Sequence, residues 1–174
     1  MKINNILITG HPGVGKTTLF MKLAERLEQY RPIGFYTEEI REKGIRKGFR
    51  LIDLDGRELT LSHVNFRGKF RVGKYGVDID SFEAYLARAE LGGSTSELMM
   101  IDEIGKMECL SSRFRKIVLD RLDSEKSLIA TIALKGTGII SDIKRRDDVI
   151  LFEISISNRD KLANEILHCL PFNK

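Results

Sequence analysis

The sequence predicts an α/β fold with a mostly parallel, doubly wound sheet. Short apolar runs of the length of buried strands recur along the chain. Amphipathic helical repeats alternate with these runs, which is typical of parallel sheets covered by helices. The chain has 174 residues, of which 42% are hydrophobic and 31% charged, and these values suit a single globular domain.

The first strand and helix are separated by a glycine-rich turn. Residues 6–8 form an apolar run that ends at Gly10, as expected for a buried parallel strand. Apolar residues at helical spacing over residues 19–27 predict an amphipathic helix that ends near Pro32. Residues 33–36 predict the second strand.

An antiparallel insertion is predicted at about residues 41–77. Apolar residues alternate on both sides of Asp55-Gly56, and Asp-Gly in this setting is a strong hairpin signal. Glycine and basic residues are frequent throughout the segment. We therefore interpret residues 1–174 as one α/β domain that carries this insertion.

Helices and strands alternate again after the insertion. A helical pattern over residues 82–89 begins at Asp80, with Glu83 three residues later as in a capping box. Gly136-Thr137-Gly138 marks a flexible connection. The other predicted elements are strands at residues 98–101, 128–134 and 149–156, a helix at residues 114–122, and a last helix that starts at Ser157 with Asp160 in the capping-box position.

The turn after the first strand matches the phosphate-loop pattern G-x-x-x-x-G-K-[ST] at residues 10–17. Such a loop directs backbone N–H groups at phosphate oxygens, and the helix that follows points its positive end at them. Lys16 should reach the β- and γ-phosphates, and the Thr17 hydroxyl should bind Mg²⁺. The expected nucleotide contacts are Gly10, His11, Pro12, Gly13, Val14, Gly15, Lys16, Thr17 and Thr18.

Two carboxylates follow the apolar run at residues 98–101. An acid at the carboxyl end of a buried strand can hold Mg²⁺ through its hydration shell, and we assign this role to Asp102. Glu103 stands where a carboxylate could polarise a water molecule aimed at the γ-phosphate. Adjacent acids also leave strands simply to meet solvent, and the phosphate loop favours the functional interpretation.

These motifs resemble the small nucleoside-triphosphatase family first described from thermophiles, which has a vertebrate cancer-related member. The resemblance rests on residues 10–17, 33–41, 71–77, 101–108 and 157–159, including the string Asp-Glu-Ile-Gly-Lys-Met-Glu. It implies a RecA-like P-loop core and Mg²⁺-dependent hydrolysis of several nucleoside triphosphates to the diphosphate and phosphate, with little base discrimination.

The resemblance also implies a second nucleotide-contacting segment. Some relatives place an arginine after the strand that ends near Leu134, where this chain has Lys135. The implied contacts are Leu98, Met99, Met100, Ile101, Asp102, Glu103, Ile104 and Gly105.

Further charged residues are candidates with two interpretations each. Glu38 and Glu39 either frame the γ-phosphate or form an ordinary charged strand end. Arg145 and Arg146 either neutralise the transferred phosphate from a mobile lid or end a solvated helix.

The segment before the last predicted helix also carries polar candidates. Asn158 and Arg159 either lie against the base or ribose or belong to a helix cap.

Composition limits the partners and the location that we expect. The net charge of +4 is not accompanied by an aromatic ladder, so we expect solvated surface and phosphate attraction rather than nucleic-acid binding. No apolar stretch is long enough to span a membrane, and residues 1–5 lack the apolar core of a signal peptide. With only two cysteines, Cys109 and Cys169, the chain is expected to be cytoplasmic. No motif specifies an oligomeric state.

Three functions remain open at this point. The first is a nucleoside triphosphatase in which water is the phosphate acceptor. The alternative is a P-loop kinase that passes phosphate to a nucleoside or nucleotide held by the basic insertion. A third is a nucleotide switch or an RNA-linked regulatory protein, which only the basic surface supports.

Overall fold

The computed structural model describes residues 4–93 and 95–171. Residues 1–3, part of the segment that was expected not to be a signal peptide, lie outside the described residues. The strands are β1 (Asn5–Thr9), β2 (Ile33–Glu42), β3 (Ile45–Asp53), β4 (Glu58–His63), β5 (Arg71–Val72), β6 (Tyr75–Val77), β7 (Leu98–Ile104), β8 (Ser127–Ile132) and β9 (Val149–Glu153). The helices are α1 (Lys16–Arg26), α2 (Ile79–Arg88), α3 (Ser112–Leu122), α4 (Ile139–Lys144) and α5 (Arg159–Cys169), with 3₁₀ turns at Glu28–Tyr30 and Glu108–Leu110.

The described strands form one sheet in the order β5-β6-β4-β3-β2-β7-β8-β1-β9. Pairing is parallel from β2 through β7, β8 and β1 to β9, and antiparallel among β2, β3, β4, β6 and β5. The α/β class and the antiparallel extension are therefore confirmed. Strand β8 lies between β1 and β7, so the strand before the phosphate loop and the strand that carries Asp102 are not neighbours.

Strand β2 joins the parallel and antiparallel parts of the sheet. Its first residues pair with β7 as far as Phe35, and the strand then continues to Glu42 alongside β3. Antiparallel pairing thus begins at Phe35, upstream of the predicted boundary at residue 41, because β2 is longer than its apolar run. The hairpin at Asp55-Gly56 is confirmed by the antiparallel pairing of β3 with β4.

Both faces of the parallel sheet are buried, which explains why its strands read as continuous apolar runs. Leu7 packs into a core with residues of α2, α3 and α4, whereas Ile6 and Ile8 pack into a second core with α1 and α5. The doubly wound arrangement follows from this alternation. The first core contains an aromatic group in which the ring of Phe35 contacts those of Phe82 and Phe114.

The starting residue predicted for α2 was wrong. The helix begins at Ile79, and the Asp78 carboxylate caps it by accepting a hydrogen bond from the Ser81 N–H at 3.0 Å. Glu83 does not close a capping box; it accepts a hydrogen bond from the Ser111 hydroxyl at 2.7 Å. Its carboxylate thereby joins α2 to the start of α3.

The capping box predicted for the last helix is also absent. Helix α5 begins at Arg159, and no side chain donates or accepts a cap hydrogen bond at its start. Ser157 instead lies with its hydroxyl 2.9 Å from that of Ser155.

Further elements differ from the sequence expectation. Strand β7 continues beyond residue 101 through both carboxylates to Ile104, and β9 ends at Glu153, three residues before its predicted end. The first helix ends at Arg26, and the 3₁₀ turn Glu28–Tyr30 covers the rest of the expected helical span. Helix α4 was not predicted, because its six residues are too few to show a helical period. In the described part of the chain, no helix has both the length and the apolar character needed to cross a membrane.

The turn after β7 is held by a buried carboxyl group. The side chain of Glu108 is 5% exposed and accepts hydrogen bonds from the backbone N–H groups of Glu108 and Gly105. Burial, assisted by the charges of Glu103 and Asp102, raises the pKa of Glu108 from 4.5 to about 8. At neutral pH this carboxyl group is therefore mainly protonated.

Close packing of two backbones makes Gly34 essential to the parallel sheet. Its φ is 136°, and a Cβ at this position would lie 1.7 Å from the carbonyl oxygen of Met100 in β7. We expect Gly34→Ala to lower the free energy of unfolding by about 3 kcal/mol, since β2 and β7 would have to separate. Urea denaturation measures this loss.

Gly68→Ala is the matched control for that substitution. A Cβ at Gly68 would meet no atom within 4 Å, so its unfolding midpoint should stay close to that of the wild type. Equal midpoints for the two variants would contradict the packing constraint at Gly34.

The raised pKa of Glu108 also predicts a pH-dependent stability. Between about pH 4.5 and pH 8 the folded protein binds more protons than the unfolded chain, so stability falls as pH rises through this window. Glu108→Gln removes the titration but keeps an oxygen that accepts the N–H bonds. The free energy of unfolding of this variant, measured in urea at a series of pH values, should decline less steeply with rising pH than that of the wild type. The two slopes should differ by up to about 1.4 kcal/mol per pH unit. Parallel pH curves for the two proteins would contradict this assignment.

Candidate active site

The phosphate loop lies at the carboxyl edge of the parallel strands, between β1 and α1. Gly13 and Gly15 have φ values of 77° and 112°, which side-chain-bearing residues rarely adopt. A Cβ on Gly10 would lie 2.7 Å from the carbonyl oxygen of Ile154, so glycine is also needed where β9 closes against the loop. His11 and Pro12 are exposed, while Val14 packs against the core of α1 and α5.

Helix α1 begins without a side-chain cap. Gly15 occupies the N-cap position, and no side chain bonds to the first N–H groups of the helix. Those N–H groups are therefore free to bind phosphate oxygens at the positive end of the helix dipole. Thr18, in the first turn, is exposed and lines a cleft of about 520 Å³ that follows α1.

The ammonium group of Lys16 rests on the loop itself. Its Nζ donates to the carbonyl oxygens of Gly10 at 2.9 Å and His11 at 3.3 Å. Oxygen atoms of a bound polyphosphate can replace these two neutral acceptors with charged ones, which form stronger hydrogen bonds.

Asp102 is the meeting point of three elements. Its carboxylate, 2% exposed and carried by the fifth of the seven residues of β7, accepts a hydrogen bond from the Thr17 hydroxyl of α1 at 2.7 Å and another from the Thr131 hydroxyl of β8. Burial raises the pKa of Asp102, and the two hydroxyl donors and the charge of Lys16 oppose that rise. The residues assigned to Mg²⁺ from the sequence are thus brought into direct contact.

Glu103 follows at the mouth of the site and is half-buried. Burial and the charge of Asp102 raise the pKa of Glu103, while the ammonium groups of Lys16 and Lys144 act against that rise. Glu103 thus stands beside one carboxylate and within the field of two cations.

The apolar residues before Asp102, which were expected to contact the nucleotide, are core residues of the sheet. Leu98, Met99, Met100 and Ile101 are at most 1% exposed and are divided between the two cores. Their role is to place the carboxylates at the sheet edge, because β7 must be apolar on both faces. Ile104 is likewise buried in the core.

Gly105 follows directly after β7 in the chain. It is buried beside Glu103, and a Cβ there would lie 2.7 Å from the Glu103 Oε1. The backbone therefore passes close to this carboxylate only because residue 105 is glycine.

Lys144 is a site residue that the sequence reasoning missed. It ends α4, and its Nζ donates to the carbonyl oxygens of Ala133 at 2.6 Å and Leu134 at 2.9 Å and lies 3.4 Å from the Thr9 hydroxyl oxygen. Burial lowers the pKa of Lys144, and the charges of Glu153 and Glu103 oppose this. No sequence pattern indicates this placement, because Lys144 lies on a helix of six residues that is too short to show a helical period.

Lys135, at the position where some relatives have arginine, is exposed.

The two arginines proposed for a lid lie away from the loop. Arg145 is exposed and paired with Asp142 at 2.6 Å. Arg146 is paired with Asp148 and Asp123, near the start of β1. The phosphate loop follows the opposite end of β1, about 15 Å along the strand, so this geometry does not place Arg146 at the phosphates.

Glu38 and Glu39 lie on the part of β2 that extends beyond β7. Glu38 is paired with Arg50 at 2.9 Å, and Glu39 with Arg41 and Arg46. These ion pairs hold both carboxylates on the antiparallel extension. They favour the interpretation of Glu38 and Glu39 as an ordinary charged strand end over a role at the γ-phosphate.

The turn between β9 and α5 borders the phosphate loop. Asn158 holds this turn by accepting from the Ser155 N–H at 2.8 Å and donating to the Glu153 carbonyl at 2.9 Å. The next residue after β9, Ile154, donates its N–H to the Thr9 carbonyl oxygen. Arg159 is exposed at the start of α5.

Comparisons with known proteins place this chain among nucleoside triphosphatases. A family model described as NTPase matches residues 5–167. The nucleoside-triphosphatase THEP1 of Thermotoga petrophila is 49% identical over 171 residues, which cover 97% of this chain and 94% of that protein. The THEP1 protein of Aquifex aeolicus is 40% identical over 175 residues, covering 95% of this chain and 98% of its own length.

Solved structures extend the similarity to the fold. The crystal structure of THEP1 from Aquifex aeolicus superposes with a TM-score of 0.83 at 38% identity, covering 96% of this chain and 99% of that one. The solution structure of a human cancer-related nucleoside triphosphatase has a TM-score of 0.81 at 36% identity, with 98% and 99% covered. The chain therefore belongs to the nucleoside-triphosphatase family that includes these proteins.

Proposed function

We propose that this protein is a Mg²⁺-dependent nucleoside triphosphatase that converts ATP, GTP and other triphosphates to the diphosphate and phosphate. The observation that carries this proposal is the 2.7 Å hydrogen bond between the Thr17 hydroxyl and the Asp102 carboxylate. It joins the end of the phosphate loop to the acidic strand, as a shared metal site requires. Low base selectivity follows, because the loop binds the phosphates that all nucleotides have in common.

The residues around Asp102 suit magnesium. Thr17 and Asp102 offer oxygen atoms, which Mg²⁺ prefers, and the Thr131 hydrogen bond orients the carboxylate. In residues 4–93 and 95–171 no three His, Cys, Asp or Glu side chains form a metal-binding group. This agrees with Mg²⁺, which needs few protein ligands when phosphates and water complete its shell. Mg²⁺ held by Thr17 and Asp102 would supply positive charge next to the phosphates.

Glu103 orients the attacking water. Its carboxylate accepts a hydrogen bond from that water, whose oxygen forms a bond to the γ-phosphorus while the bond to the bridging oxygen breaks. Lys16 holds the β- and γ-phosphates in line. The half-buried position of Glu103 limits competing solvent around the reacting water.

Lys144 supplies the positive charge for which the sequence offered no arginine. Its ammonium is fixed where β1 and β8 end, close enough to Glu103 for their charges to interact. A cation at this point stabilises negative charge that develops on the transferred phosphoryl group.

The kinase alternative has less support than hydrolysis. Four arginines of the basic insertion that was expected to hold an acceptor are already engaged: Arg41 and Arg46 with Glu39, Arg50 with Glu38, and Arg57 with Asp53. Arg71 donates to the carbonyl oxygens of Phe66 and Lys74.

We also infer a cytoplasmic location. Cys109 and Cys169 are unpaired, which suits a reducing compartment.

Variants of Glu103 and Lys16 separate chemistry from binding. Glu103→Gln should lower kcat for ATP and GTP by about 10² to 10⁴ and leave the Mg²⁺-nucleotide Kd nearly unchanged, because only the water contact is lost. Lys16→Ala should weaken nucleotide binding as well as turnover. Phosphate release and nucleotide titrations measure the two effects. Undiminished phosphate release in both variants would refute the assignment.

A second comparison tests the cation at the end of α4. Lys144→Ala should lower kcat by about 10² to 10³, whereas Arg145→Ala, one residue later and paired with exposed Asp142, should leave kcat unchanged. Lys144→Arg should recover part of the rate. Thermal melting of each variant separates this effect from unfolding. A Lys144→Ala protein that melts normally and keeps full kcat would exclude the role.

A further inference from the structure

A second cleft, of about 470 Å³, opens at the carboxyl edge of the sheet. One wall is the turn after β7 with Lys106, together with Arg115 of α3, and the other is the loop of Gly136 and Thr137 that leads into α4. This volume falls in the range of small-molecule sites. We call it the Lys106–Arg115 cleft.

The two cations of this cleft are not neutralised. Among the described residues, neither Lys106 nor Arg115 forms an ion pair, and no acidic residue lines the cleft. By contrast, the arginines of the β2–β3 pair are matched with glutamates. The Arg115 Nη1 donates to the Cys109 carbonyl oxygen at 2.6 Å, which anchors one side of the guanidinium group and leaves its other N–H groups for a ligand.

The groups next to these cations add little negative charge. Burial raises the pKa of the Cys109 thiol to about 12, and the neighbouring Glu108 carboxyl group is mainly protonated at neutral pH. The Lys106–Arg115 cleft therefore keeps its positive charge, which attracts an anion.

The cleft also adjoins the proposed catalytic carboxylate. Lys106 directly follows Gly105, where an added Cβ would lie 2.7 Å from both the Glu103 Oε1 and the Glu108 Oε2. A molecule bound at Lys106 thus contacts the turn that positions Glu103. Its other wall leads into α4, the helix that ends at Lys144.

We propose that the Lys106–Arg115 cleft binds the phosphate group of a small phosphorylated molecule. The Arg115 guanidinium offers paired N–H donors that match phosphate oxygens, Lys106 adds a second charge, and the Thr137 hydroxyl can donate a hydrogen bond. The ligand is either free phosphate or a phosphorylated metabolite, since both present the same group. Ligand binding in this cleft does not require the protein to hydrolyse a nucleoside triphosphate.

Binding is tested in the Lys16→Ala protein, in which the phosphate loop is weakened. Inorganic phosphate, glucose 6-phosphate and AMP are titrated separately by calorimetry. At least one should bind with a stoichiometry near one, and Lys106→Ala or Arg115→Gln should each weaken it by about tenfold or more. Lys116→Ala, whose side chain is exposed and paired with Asp120, should leave the affinity unchanged.

The pattern of results identifies the ligand and can overturn the proposal. Binding of phosphate alone indicates free phosphate, whereas tighter binding of glucose 6-phosphate or AMP indicates a metabolite. Absence of binding for all three probes, or equal affinity in the Lys106→Ala, Arg115→Gln and Lys116→Ala proteins, would refute the site. If Arg115→Gln proves unfolded by thermal melting, the exposed Lys106 still provides the decisive variant. The outcome is independent of whether Glu103→Gln abolishes triphosphate hydrolysis.

Discussion

A single buried carboxylate organises the active-site edge of this protein. Asp102 is withdrawn from water in the second half of β7, and a charge in this position is tolerated only when hydrogen-bond donors replace its hydration. The donors are the hydroxyl groups of Thr17 and Thr131, which belong to α1 and β8. Because β8 separates β7 from β1, this pair of contacts sets the position of the phosphate loop relative to the acidic strand.

The two lysines of the site share one arrangement. In both cases the ammonium group donates to backbone carbonyl oxygens: Lys16 to the loop that it follows and Lys144 to the residues after β8. These neutral acceptors hold each cation in place without cancelling its charge. Both cations act on Glu103, whose pKa is raised by burial and by Asp102. Electrostatic balance among these groups, rather than one hydrogen bond, therefore sets the state of Glu103, the proposed catalytic carboxylate.

Charge on the rest of the surface is divided into paired and unpaired groups. The antiparallel extension carries many basic residues, and four of its arginines, Arg41, Arg46, Arg50 and Arg57, are paired with Glu39, Glu38 or Asp53 of the same extension. Lys106 and Arg115 are different because a cleft, and no carboxylate, lies between them. A net charge counted along the sequence does not distinguish these two situations.

The sequence by itself determined the α/β class, the hairpin at Asp55-Gly56 and the phosphate loop, because periodicity, turn chemistry and glycine placement are local properties. It also singled out Asp102 as the acid beside the phosphate loop, and the structure places the Asp102 carboxylate in hydrogen-bond contact with Thr17. Only the tertiary structure decided which distant residues come into contact. It places Thr131 at Asp102, Lys144 at the carboxyl ends of β1 and β8, and Arg146 near the amino end of β1. Such contacts join residues far apart in the chain, and strand order, which no local pattern encodes, decides whether they form.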